Sequence, residues 1–389
     1  MNRSRMGRSV GVLLVLAVLG TGCDRDRDRI RIGGVAPLTG ETASFGLFAR
    51  RGFELAVEEC NHRGGVLGKP VKLIVVDDKG DPAEGAAAVT RLIQQRKVVG
   101  IVGPVTSRVS LAGAPFAQAA GIPLVASAAT NARVTQVGDF IFRACAVDSF
   151  QGAAGARFAF QDLNARNAAC LFELGSEYHQ GISEVFRTHF TRLGGGVAAF
   201  AGHAPGVRDF RPQLARILRT APDLIYAPDF YGDGALIVEQ ARELGFRGPI
   251  LGADGWDSPK LVELGGRHME NTFFTTFFSR DNPSPRVRAF VKNYSTKFGS
   301  SPDGHAMMGY EAAAILLDGI SRAGRTEGGA IRDALARTDL QLVTGRVTFD
   351  ANRNPVKPVV VLEVKGGRPV FRAILDPGPT ASETPRSSP

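Results

Sequence analysis

Residues 101–130 read IVGPVTSRVSLAGAPFAQAAGIPLVASAAT, and the fold is decided here. An apolar run ends at Gly103 and Pro104, a helix opens near Ser107, and a second apolar run, Ile122 to Ala126, stops at Ser127 to Thr130. This is strand, loop, helix, strand, loop, the repeating unit of a parallel α/β sheet. In such sheets ligands sit outside the carboxyl ends of the strands, where loops expose hydroxyls and the free amides of helix N-termini to an anion. Ser107 and Thr130 stand at two of these strand ends. Together they offer two hydroxyls and several backbone donors to something small and negatively charged. Taken singly, Ser107 also fits a helix N-cap and Thr130 a turn residue.

Upstream of this stretch the alternation is already running. IRIGGVAPLTG gives a strand and loop, Gly46 to Asn61 an amphipathic helix, and VKLIVVDD a strand; Pro82 then opens a helix at its favoured first turn. Downstream comes a strand near Phe140 to Arg143, and a new helix starts at Asp148. A second βα series follows: strands at 168–172, 197–201, 224–227 and 249–252, with helices at 178–192, 210–218 and 234–244 between them. Two successive series imply an α/β protein with two doubly wound lobes and a hinged cleft between them. After Thr272 the alternation breaks. Helices at 284–298 and 307–322 with no strand between them fit a return to the first lobe, and strands near 359–364 and 370–374 close the chain. Lobe one is therefore expected over 30–146 and 276–350, lobe two over 147–275 and 351–375. The crossings should fall near Ala146, Thr275 and Asp350. The polar, proline-rich 376–389 reads as a disordered tail.

The first 23 residues have a basic start, an apolar run from Val10 to Gly20 and small residues before Cys23. That run is too short to span a bilayer, so 1–23 reads as a signal peptide and the protein as exported. Small residues before a cysteine resemble the lipobox of bacterial lipoproteins, which makes Cys23 the expected lipid anchor and places the protein at the membrane in the periplasm. Gly20 stands where that pattern usually has Leu. Asp24 to Arg29 alternates in charge and reads as a solvated tether.

With 389 residues and 44% hydrophobic content, the chain can build two cores. Arg3, Arg5 and Arg8 lie in the leader, so the formal charge of +9 becomes +6 on cleavage. The excess is scattered, with no basic run interleaved with aromatics, and nucleic acid is not an expected partner. Enzyme signatures are absent: there is no GxSxG, HExxH or GxGxxG, and Gly68-Lys69 lacks the flanking residues of a P-loop. Cys60, Cys145 and Cys170 match no zinc spacing and read as buried small residues, so neither a metal nor a cofactor is expected. His179, beside Tyr178, reads as a surface histidine.

Further segments carry a resemblance: GVAPLTG with Phe45-Gly46 after it, NHRGGVLGKPVKL, VVDDKGDPAEGAAAV, ASAATNARVTQ, FRACAVDSFQG, SEYHQG, RDFRPQLARI, QARELGF and GADGWDS. In this order and spacing the chain resembles the leucine/isoleucine/valine-binding protein family, the type I periplasmic solute-binding proteins of branched-chain amino-acid ABC transporters, from about Ile30 to Ile374. The resemblance implies that Ser107, Thr130 and the backbone at Ala128 hold the α-carboxylate and part of the α-ammonium of an amino acid, and that Asp254 receives the ammonium from the second lobe. A zwitterion needs donors at one end and a carboxylate at the other, which agrees with the reading of the loops. By the same resemblance Phe45, Tyr178 and Phe230 are pocket positions, with Tyr231 and Trp256 next to matched ones. Phe230 replaces a common tyrosine and makes the wall more apolar. The family's first-lobe disulfide has no counterpart around Lys79, Gly80 and Thr106. Implied partners are an amino acid, apolar or branched, and the membrane subunits of an ABC transporter, met by a monomer that closes on its cargo. The alternatives are a sensory receptor of the same fold, or a binder of an amide or of an aromatic or aliphatic acid.

Overall fold

Ten strands run parallel, five in each of two sheets of the same winding, in the computed structural model, which describes residues 29–376. In the first sheet β1 (Ile30–Ala36), β2 (Val71–Asp77), β3 (Ile101–Val102), β4 (Leu124–Ala126) and β5 (Ile141–Arg143) lie in the order β2-β1-β3-β4-β5, all parallel. The register sets Ile30 against Val71 and Gly33 against Ile101. In the second, β6 (Asn167–Glu173), β7 (Gly196–His203), β8 (Leu224–Tyr226), β9 (Ile250–Gly252) and β10 (Thr272–Thr276) repeat that order as β7-β6-β8-β9-β10. Helices cover both faces, which is why β3, β4, β8 and β9 are apolar throughout and buried. Two features depart from the expected alternation. A short hairpin, β11 (Asp339–Leu342) with β12 (Gly345–Thr348), follows the last helix, and β13 (Val359–Lys365) and β14 (Arg368–Leu375) extend the second sheet antiparallel beyond β10. β14 forms the edge, with Arg368 and Arg372 outward to discourage pairing with another chain.

The chain passes between the sheets three times, at 143–148, 276–285 and 348–359. After the second passage the helix Gly304–Ala323 packs along the helix Ala43–His62 of the first lobe. Their backbones approach so closely that a Cβ on Gly52 would lie 2.1 Å from the Ala306 carbonyl oxygen, and one on Gly309 2.3 Å from that of Ala49. The crossing therefore requires glycine on both helices. Near the third passage a buried ion pair between Lys357 and Glu311 ties the connecting chain to this returning helix. Glu311 also accepts from the backbone N–H of Thr344 at 2.8 Å, so its second charge-bearing edge is satisfied. Cys60, Cys145 and Cys170 are free and buried. The leader, Cys23, most of the tether and residues 377–389 lie outside the described residues.

Candidate functional site

Each sheet has its topological switch point at the first strand of its series, between β1 and β3 in one lobe and between β6 and β8 in the other. The loops beyond these strands face each other. A small cavity of about 20 Å³ lies between them, walled on the first-lobe side by Phe45, Val105, Thr106, Ser107 and Ala128. Tyr178, Phe230, Asp254 and Gly255 close it from the second lobe, and His305 joins from the start of the returning helix.

The first-lobe wall is a donor surface. Gly103 has φ +80° and sits against the Val35 carbonyl, where a Cβ would come within 2.1 Å of the oxygen; this turns the chain out of β3 toward the cavity. The helix Ser107–Ala119 then begins at the cavity wall and directs its unpaired first-turn amides there. Ser107 Oγ accepts from the Asn131 N–H at 3.1 Å, so its own hydroxyl proton is left to donate. Arg143, at the end of β5, holds the adjoining loop from behind: its fully buried guanidinium donates to the carbonyls of Ala129 at 2.8 Å and Asn131 at 2.7 Å. Thr130 does not line the cavity. It is fully buried, its carbonyl accepts from the Asp148 N–H at 2.9 Å, and its hydroxyl lies beside the Asp148 carboxyl.

The second-lobe wall carries the charge. Tyr178 donates to Asp254 Oδ1 at 2.7 Å and accepts from the Gly255 N–H at 3.1 Å, which fixes the carboxylate at the cavity. Burial raises the Asp254 pKa to about 6, against the opposing effect of the Tyr178 hydrogen bond. Asp148, at the first turn of the helix Asp148–Gln161, is fully buried; burial and the neighbouring charge of Asp254 push its pKa up to about 8, against the opposing effect of a Thr130 hydrogen bond. At neutral pH Asp148 is therefore predominantly protonated while Asp254 is ionised, leaving one net negative charge for an incoming cation.

Phe45 stands at the centre of an aromatic group drawn from both lobes. Its ring stacks on His305 at 4.0 Å and meets Phe230 and Tyr231 edge-on at 5.5 and 5.0 Å. Phe230 in turn stacks on Tyr178 at 5.6 Å. Tyr231 is a clasp rather than cavity lining: its hydroxyl donates across the cleft to the Glu41 carbonyl. Ser44 and Ser258 form a second cross-cleft bond at 2.8 Å, and Asn131 Nδ2 donates to the Glu177 carbonyl at 2.7 Å. The lobes are thus closed on each other. Trp256 is core, not lining. It is fully buried against Gly252 and Gly234, where added Cβ atoms would lie 2.2 and 2.4 Å from its ring.

His179 is also not where a surface histidine would be. It is 2% exposed, edge-on to Phe230, with Nδ1 3.7 Å from Asp229 and 3.9 Å from Glu173. Burial lowers its pKa to about 4, so it is neutral at pH 7. Arg143, Asp148 and His305 are site residues that sequence reasoning passed over. An arginine at the end of the otherwise apolar IFRACAV was a legible signal, since a charge there must find carbonyls. Nothing local marks His305.

Two lobes of one winding, with a closed cavity at facing switch points, constitute a solute-binding architecture, and a family model described as "Periplasmic binding protein" matches residues 29–368. The chain belongs to this family. Among curated relatives, the Leu/Ile/Val-binding protein BraC3 of Rhizobium johnstonii is 29% identical over 325 residues, 82% of this chain and 87% of the relative. The crystal structure of the leucine-binding protein LivK of Thermotoga maritima superimposes with a TM-score of 0.86 at 38% identity, covering 90% of this chain and 99% of the other. The branched-chain amino-acid transporter substrate-binding protein LivJ of Streptococcus pneumoniae, solved with isoleucine, gives 0.84 at 30% identity, covering 90% and 100%. The two-lobed type I architecture is shared with these neighbours. Among the described residues no helix of this protein is long and apolar enough to cross a membrane.

Proposed function

We propose that this periplasmic binding protein captures an α-amino acid with an apolar or branched side chain and delivers it to the membrane subunits of an ABC transporter. One observation carries this. A hydroxyl donor and a helix N-terminus on one lobe and a fixed carboxylate on the other line the same cavity, as a zwitterion requires. In this scheme Ser107 and the amides near Ala128 take the carboxylate, Asp254 the ammonium, and Phe45 and Phe230 the side chain. The names of the relatives, which bind leucine, isoleucine and valine, support the same ligand class.

Closure follows from the division of the site. Only the closed state satisfies both ends of the ligand, so binding shifts the hinge equilibrium toward it. The lobes we assign to 30–146 with 276–350, and to 147–275 with 351–375, move about the three passages. The protein acts as an exported monomer held to the membrane by a lipid on Cys23, and it binds its ligand without turning it over. The test is a thermal-shift screen against amino acids and their deaminated and amidated analogues. Stabilisation by an α-amino acid, lost in Asp254→Ala, supports the assignment; stabilisation only by analogues without the ammonium overturns it.

A further inference from the structure

His305 gives the apolar end of the cavity one polar atom of defined role. Its ring is held on two sides, stacked on Phe45 at 4.0 Å and bonded through Nδ1 to the Asp257 carbonyl at 3.0 Å. A carbonyl oxygen only accepts, so Nδ1 carries the proton and donates. Burial lowers the pKa of the ring to about 4, which leaves it neutral at pH 7. Nε2 is then a lone-pair acceptor. Among the described residues it has no hydrogen-bond partner, and it is not sealed from open space as both nitrogens of His179 are. The open space that His305 borders is the ligand cavity. Thr106, which also lines the cavity, has a hydroxyl that can donate or accept and so does not discriminate.

We propose that His305 is a specificity-determining residue that selects amino acids with a short side chain bearing a hydroxyl donor over the isosteric hydrocarbon, threonine over valine and serine over alanine. This rests on the amino-acid reading of the cavity and shifts its side-chain preference from apolar toward short hydroxylated side chains. A hydrocarbon in this position leaves Nε2 desolvated and unpaired, whereas a hydroxyl pairs with it, and sites built to hydrogen-bond a ligand group penalise the analogue that lacks it.

The experiment is calorimetric titration of the intact protein with threonine, valine, serine and alanine, repeated on His305→Phe, which keeps the stack on Phe45 and removes the acceptor. In the native protein threonine should bind roughly tenfold more tightly than valine, and serine more tightly than alanine. In the variant the preference should vanish or reverse. Valine binding as tightly as threonine in the native protein overturns the proposal while leaving the amino-acid assignment intact, and this comparison needs no variant to fold. A threonine preference that survives unchanged in His305→Phe assigns the selection elsewhere and also overturns it. If none of the four binds while deaminated acids do, the amino-acid assignment itself fails and the proposal falls with it.

Discussion

The two walls of the cleft are built from the same topology and do opposite electrostatic work. On the first lobe the strand ends present neutral donors: a serine hydroxyl with its proton free and the start of a helix. On the second lobe the equivalent strand ends present Asp254, fixed by Tyr178. The difference lies in what fills the loops, since the strand order is repeated. A single wall can hold one end of a zwitterion, and neither wall alone accounts for both. Dividing the charges between the lobes makes the ligand itself the bridge that favours closure.

The sharpest way to break this comparison is to remove the charged wall. Asp254→Ala should abolish measurable binding, a loss of at least 100-fold by calorimetry, because a buried ammonium is left without its counter-charge. Retention of binding within tenfold would show that the second wall does not carry the ammonium. Ser107→Ala tests the donor wall and should cost about 1.5 to 3 kcal/mol, or roughly 10- to 100-fold. Its effect should be smaller on an amidated ligand, which offers no carboxylate. Equal losses for the acid and its amide would dissociate Ser107 from the carboxylate.

Acidity probes the same asymmetry more gently. The charged wall titrates and the donor wall does not, so affinity should hold above the Asp254 pKa of about 6 and weaken by up to about tenfold per pH unit below it. The empty protein should show the opposite trend in stability. Asp254 and Asp148 have folded pKa values of about 6 and about 8, above the ordinary 3.8, so between those limits the folded state binds more protons than the unfolded one. Their contribution is full below pH 3.8 and is lost as the pH rises through 6 and then 8. Asp148→Asn should therefore raise the melting temperature of the empty protein more at pH 8 than at pH 5; equal shifts at the two values would rule out this titration. The smallest effect belongs to the clasp. Tyr231→Phe removes the bond to the Glu41 carbonyl without touching the cavity and should weaken affinity only about two- to fivefold, mainly through faster dissociation in stopped-flow traces.

Much of the scaffold was written locally. Alternating apolar runs and amphipathic helices marked both βα series, and Asp81-Pro82 opened its helix as capping chemistry dictates: Asp81 accepts from the N–H groups of Ala83 and Glu84 at 2.8 and 3.0 Å. The hairpin at 339–348 was not foreseen, since its polar strands lack a clear alternation and are held by pairing with each other. In the site, positions following a strand end could be named because strand ends are local features, and Ser107, Ala128, Phe45, Tyr178, Phe230 and Asp254 do meet at one cavity. Tyr231 and Trp256 share the same signal and point elsewhere, because which side of a helix start or a short turn faces the cleft depends on the packing behind it. The sequence by itself determined two doubly wound lobes and the chemistry carried at their strand ends, since periodicity and capping act over a few residues. Only the tertiary structure decided that Asp148 would share the Asp254 field, that Arg143 would brace the Thr130 loop, and that His305 would turn an acceptor to the cavity. Those roles depend on burial and on neighbours tens to hundreds of residues away, and it is burial that turns an ordinary side chain into a charge that must be paired or a proton that must be kept.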